Sequence, residues 1–249
     1  MALKGTLLGL VIPVILLCPS TYWASAQQPP TNVNLETFYT VGVVRDGPSW
    51  YFERQVDLLE LELQKLASEK YSFSLKTFDG LHQPVSVNAN LRKALADPVV
   101  DVVYASGVIA TEAAKRLNPD ERTKPIMAGA VQFSEIDSLI SNKGTSSILN
   151  FTFITQPKRV SADLALLKRI TNASELHIAI DSLTYSALDK IAEAQARFRS
   201  ELGVSLRMHP IGPSLEDALR EIPQTARALY VSILPRMDEG SRRTFYQRL

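Results

Sequence analysis

The chain has 249 residues, 45% hydrophobic and 21% charged, the balance of a soluble globular protein that can fill one large core or two modest ones. Its 27 Lys+Arg and 26 Asp+Glu nearly cancel, so charge gives no argument for a nucleic acid or an anionic membrane as partner. The single cysteine, Cys18, lies in the N-terminal apolar stretch, which removes a disulfide framework, a thiol nucleophile and thiolate metal ligands from everything after it.

In chain order, Lys4 comes first, followed by an apolar run from Leu7 to Leu17 and the small-residue triplet Ala24-Ser25-Ala26. That is the layout of a cleavable export signal over residues 1–26, cut after Ala26. The run is shorter than the roughly 20 residues that span a bilayer. Residues 27–36 read as a disordered leader, and the expected location is periplasmic or secreted. Phe38 to Val44 is a short β-branched run of the kind a central parallel strand requires. After Asp46-Gly47-Pro48-Ser49, residues Phe52, Val56, Leu59, Leu63 and Leu66 step by 4, 3, 4 and 3, which places them on one helical face.

The alternation recurs as strand 71–77, helix 88–96 stopped by Asp97-Pro98, strand 99–105, helix 108–117 and strand 125–131. Polar and small residues at 134–147 interrupt it, Ile148 to Ile154 is extended, and a lobe boundary is expected after residue 150. Beyond it come helix 157–170, strand 176–181, helix 185–202, strand 204–209, helix 214–222 and strand 228–234. Val204, Leu206 and Met208 alternate with Ser205, Arg207 and His209, which marks that strand as near a sheet edge. The expectation is an α/β protein of two open parallel-sheet lobes, residues 37–150 and 151–249, with the second lobe incomplete and the chain truncated at Leu249.

Open parallel sheets bind ligands outside the carboxyl ends of their strands, where loops enter helices with free N–H groups. Gly47 permits a sharp turn, and Pro48 suits the first helical position, leaving the N–H groups of Ser49 and Trp50 for a ligand oxygen, with Trp50 or Tyr51 as a stacking face. Asp46 and Asp181 end strands at the cleft, where they could pair with a ligand cation or simply form turns. Ser106, Ser182 and Ser232 occupy equivalent strand ends, where a serine either meets a polar solute or caps a helix. His82, His177 and His209 are scattered with no ligand spacing, so no metal is expected, and His177 reads as a core histidine. There is no Gly-x-Ser-x-Gly elbow, phosphate loop or dinucleotide glycine fingerprint, and no cofactor is expected.

The stretch "VGVVRDGPSWYFERQVDLLELEL" resembles the family of ABC-transporter substrate-binding proteins of the tryptophan type, which have the type I periplasmic-binding-protein fold. "LRKALADPVVDVVYASGVIATEAAKR", "KPIMAGAV", "GTSSILNF", "LHIAIDSLTY" and "ALYVSILPR" follow in that family's order, over residues 38–236. The Ser106-Gly107-Val108 loop departs from the Thr-Pro-Ala-like sequence of amino-acid-binding members. The resemblance implies a non-enzymatic protein that closes by hinge motion on a small organic solute, an amino acid or a carboxylate among the candidates. It then presents the closed form to a membrane permease. Ligand contacts would come from Asp46, Gly47, Ser49, Trp50, Ser106 and Gly107 in the first lobe and Asp181, Ser182, Tyr185 and Ser232 in the second. Two alternatives stand beside it: a sensing or adaptor domain acting on a protein partner such as an export system, and a secreted hydrolase.

Overall fold

The computed structural model describes residues 37–67, 71–129, 146–154 and 159–249. The expected signal and leader, the end of the expected strand 125–131, most of the polar interruption at 134–147 and the start of the helix expected at 157 lie outside these residues. Among the described residues no helix is long and apolar enough to cross a membrane.

The first sheet is built from β1 (Thr37–Arg45), β2 (Tyr71–Asp79), β3 (Val102–Ser106), β4 (Ile126–Ala128) and β5 (Phe151–Phe153), all parallel, in the order β2-β1-β3-β4-β5. Its helices are α1 (Trp50–Leu66), α2 (Pro84–Ala96) and α3 (Val108–Lys115). β1 is central because its alternating residues are apolar on both sides. Val41 and Val43 pack with Tyr104 under the Val56, Leu59 and Leu63 face of α1, and Val44 enters the larger cluster beneath α2 and α3. Gly42 keeps that second face close, since a Cβ there would sit 2.9 Å from Val100 Cγ1. The α1 stripe ends early: Phe52 is buried, but Leu66, in its last turn, is exposed. Helix α2 starts four residues before the expected Asn88, because Pro84 takes the first helical position.

The second sheet has β6 (Glu175–Asp181), β7 (Ser205–Ile211) and β8 (Leu229–Val231), parallel, in the order β7-β6-β8. Its order repeats the β2-β1-β3 part of the first sheet. Helices α4 (Arg159–Thr171), α5 (Ser182–Ala187), α6 (Ile191–Leu202), α7 (Leu215–Glu221) and α8 (Glu239–Arg248) accompany it. Strand β7 lies at the edge, as its alternation indicated, and the edge position tolerates Pro210, which cannot donate to a ladder. Leu164, Leu176, Ile178 and Phe198 form the core on one face of the sheet, and Ala179, Ile211, Met237 and Phe245 form it on the other. Beside β8 a groove of about 760 Å³ opens between α4 and α7, with Ile170, Leu219, Ile222 and Leu229 among its walls.

Two expectations shift. β5 pairs with β4 through Phe151, Thr152 and Phe153, so the first sheet continues past the boundary expected at residue 150. The single helix expected over 185–202 is broken between α5 and α6, and the break serves packing. Ala187 is buried in the first lobe's core, with Leu183 and Leu188 against it. Thus α5 leaves a strand of the second sheet and docks on α3 of the first lobe.

His177 and His209 stack with ring centroids 5.1 Å apart on neighbouring strands, and His177 Nδ1 lies 2.8 Å from His209 Nε2. One nitrogen must donate and the other accept, so the pair cannot hold both rings charged without breaking that bond. Burial pushes both imidazoles below the ordinary histidine value, with His177 adding to the effect on His209 and the Glu175 carboxylate opposing it on His177. His177 is the core histidine its apolar strand suggested, satisfied by another histidine.

Candidate functional site

Both sets of strand ends meet at the interface between the lobes. At the end of β1, Asp46 is only 4% exposed. Its carboxylate accepts from Ile109 N (3.0 Å) and Ala110 N (2.7 Å) at the start of α3. Gly107 makes this possible: its φ is +113°, and a Cβ there would fall 2.3 Å from Asp46 Cγ. The carboxylate therefore occupies the space a side chain would fill and caps α3 across 63 residues of sequence. Ser106, fully buried, donates its hydroxyl to Gln55 Oε1 at 2.7 Å.

Desolvation raises the Asp46 pKa to about 7, against the lowering effect of the α3 N–H groups, and the charge on Asp181 adds to the rise. The two carboxylates end strands of different lobes. A group with a raised folded pKa binds more protons folded than unfolded, so its stabilisation is complete below the unfolded value near 3.8 and is lost as pH climbs through about 7. The histidine pair has the opposite sign: its depressed values give stability above the ordinary 6.5 that is lost as pH falls. Asp46→Asn is therefore expected to remove the decline in stability from about pH 4 to 7 and to leave only the histidine slope, on which stability falls as pH drops below 6.5. Urea unfolding at a series of pH values measures this. An unchanged profile would contradict the assignment.

The turn before α1 is braced from β2. His82 N donates to Asp46 O at 2.6 Å, its Nε2 donates to Pro48 O at 2.9 Å, and a Cβ on Gly47 would meet the His82 ring at 2.6 Å. Leu81 and His82 hold positive φ values of 53° and 56°, uncommon for residues with side chains, to make that brace. Ser49 caps α1, its hydroxyl accepting from Phe52 N at 3.3 Å. Trp50, the first residue of α1, is 43% exposed at the rim, with Tyr51 edge-on to it.

In the second lobe Asp181, 3% exposed, caps α5 by accepting from Leu183 N (3.0 Å) and Thr184 N (3.2 Å). Its other oxygen takes Arg236 Nε at 2.8 Å, and Arg236 Nη2 donates to Ser182 Oγ at 2.6 Å. Ser232 continues the ladder by donating its N–H to Ala179 O, and its side chain and that of Tyr185 are half-buried. The lobes are also joined by two side-chain contacts. At one, Arg116 at the C-cap of α3 binds Asp189 bidentately (2.6 and 3.1 Å) and the Ala187 carbonyl. At the other, the Arg242 guanidinium of α8 lies 3.8 Å from the centre of the Trp50 ring.

All ten sequence-expected residues thus sit at strand ends or helix starts, but they divide by how they are used. The side-chain hydrogen bonds of Asp46, Asp181, Ser106 and Ser182 are taken up within the chain, and Gly47 and Gly107 serve close packing. Ser49 caps α1, and Trp50, Tyr185 and Ser232 are the exposed or half-buried groups left at the rim. Sequence reasoning missed Gln55, His82, Arg236 and Arg242. The Leu234-Pro235-Arg236 ending of a strand-loop unit was the one signal available, since it follows directly on the third strand of that lobe.

The repeated β-α-β order, facing strand ends and paired sheets define the bilobed architecture of periplasmic binding proteins. Among solved structures, the chain is similar to an ABC domain in complex with L-Trp from Streptococcus pneumonia, at 13% identity and a TM-score of 0.52 over 80% of this chain and 66% of that one. It is also similar to an ABC transporter substrate-binding protein from Desulfitobacterium hafniense (12%, TM-score 0.49, 74% of this chain and 54% of that one). A third is an extracellular ligand-binding receptor from Rhodopseudomonas palustris HaA2 (14%, TM-score 0.44, 78% and 54%). The chain therefore spans 54 to 66% of the length of these three proteins. No family model and no curated protein matches the sequence.

Proposed function

We propose that the chain is the solute-binding component of an ABC-type transport system, exported by its N-terminal signal and working outside the cytoplasm with a membrane permease. It captures a small organic solute between its lobes without altering it. The observation that carries the reading is the pair of parallel-sheet rims facing each other, with an exposed aromatic of the first lobe under a cation of the second. Enclosure between such rims desolvates a ligand from both sides, and hinge closure follows from the ligand's preference for the closed form. A hydrolase reading lacks support here, because the Ser106 hydroxyl donates to an amide oxygen, which cannot act as its base, and His177 is bonded to His209.

The test is a thermal-shift screen of amino acids, short carboxylates and nucleobases, with native mass spectrometry of the purified protein for co-purified solute. A ligand at a hundred times its Kd adds about 2.7 kcal/mol, which for a chain of this size raises Tm by roughly 5–10 °C. A protein that gains no stability from any solute, but binds a protein partner tightly, would replace this reading with the adaptor alternative.

A further inference from the structure

At the rim, the described residues leave part of the hydrogen-bonding capacity of Arg242 unmet. Its Nη1 is buried without a hydrogen-bond partner, and no carboxylate pairs with it among the described residues. Arg236, the other rim arginine, is neutralised by Asp181 and tied to Ser182. Tyr246, one turn further along α8, feels the Arg242 charge, which favours its phenolate, although burial holds its pKa above the ordinary value. A buried guanidinium N–H without an acceptor is unfavourable, and the indole face beneath it compensates only through the ring quadrupole, which accepts no directed N–H bond from the planar edge. Trp50 is also the first residue of α1, whose first-turn N–H groups have no intrahelical acceptor and carry the positive end of the helix dipole. Asp46 and Asp181, the buried carboxylates at the strand ends, are committed elsewhere.

Resting on the solute-binding reading above, we propose that Arg242 sets the class of solute: an organic anion whose carboxylate is gripped by the guanidinium edge while its apolar or planar body lies against Trp50 and Tyr51. The indole face fixes the guanidinium plane, so the donor fork is oriented before the solute arrives, and the fork matches a carboxylate in two parallel bonds. The last helix of the chain, and no strand-end loop, then supplies the charge selection. Lysine replaces arginine only in part, because a compact ammonium keeps the charge but neither stacks flat nor offers the fork.

The test is calorimetric titration of the full chain and of Arg242→Gln and Arg242→Lys with matched pairs: phenylacetate against phenylacetamide, indole-3-acetate against indole-3-acetamide, benzoate against benzamide. Wild type is expected to bind at least one carboxylate tenfold or more tighter than its amide. Gln is expected to reduce that preference to within about twofold and Lys to leave it at intermediate strength, each measured on protein whose circular dichroism spectrum matches the wild type. Equal binding of carboxylate and amide by wild type, or an undiminished preference in Arg242→Gln, would overturn the proposal. If neutral or cationic solutes bind and no carboxylate does, the inference fails while the solute-binding reading stands. If no solute of any charge binds, both fall.

Discussion

Gly107→Ala is expected to destabilise the protein by about 3–5 kcal/mol. Two effects add. The φ of +113° is one that side chains rarely adopt, with a strain of order 1–3 kcal/mol. The new Cβ would also overlap the Asp46 carboxylate at 2.3 Å, and relieving such an overlap costs about 1–3 kcal/mol more. Asp46 cannot move away freely, since it would abandon Ile109 N and Ala110 N at a buried helix start. Gly212→Ala is the control: a Cβ there meets nothing within 4 Å, and its effect should stay within about 0.5 kcal/mol if its backbone suits alanine. Urea unfolding of both variants decides, and a Gly107→Ala protein as stable as its parent would mean that the Asp46 cap is not formed.

Asp181→Ala is expected to have an effect of similar size by a different route. It strands Arg236, whose side chain is only 16% exposed, and breaking a buried pair on one side typically costs about 3–5 kcal/mol. It also removes the cap from α5, the segment whose Ala187 enters the first lobe's core. The loss should therefore fall on the coupling between lobes as well as on the second sheet. Replacing both partners, Asp181→Leu with Arg236→Met, is expected to recover most of the stability, because the stranded charge is gone. It should not recover solute affinity, since Ser182 loses the donor that holds it at the rim. Denaturant unfolding and binding assays on the single and double variants give both quantities. A single Asp181→Ala variant within about 1 kcal/mol of its parent would show that the pair carries little weight.

What was legible in the sequence follows from the range of the interaction involved. The central strand β1, the α1 face and the edge character of β7 are written in periods of two and 3.6 residues, and the structure has them. The break between α5 and α6 was invisible because the helical pattern runs on through Leu188. Only the distant α3 surface gives that residue a reason to leave the helix. Asp46 was recognised as a rim residue, but its partners lie 63 and 64 residues away and could not be read from spacing. Aspartate suits a turn, a cap and a ligand equally well in one dimension, and only the α3 N–H groups separate the three. Arg242 carried no signal at all, since it is one of several polar residues on a helix whose relation to Trp50 exists only once both lobes are folded.

The central claim is that a solute is held between the two rims, against Trp50. Trp50 is the one tryptophan from Gln27 onward, so its fluorescence in that chain reports on this place alone. Titrating a stabilising solute should change the intensity and wavelength of Trp50 emission in a saturable way, as the ring loses water and its contact with Arg242 is remade. A solute that binds with full occupancy yet leaves the Trp50 spectrum unmoved would place the binding site elsewhere and contradict the account.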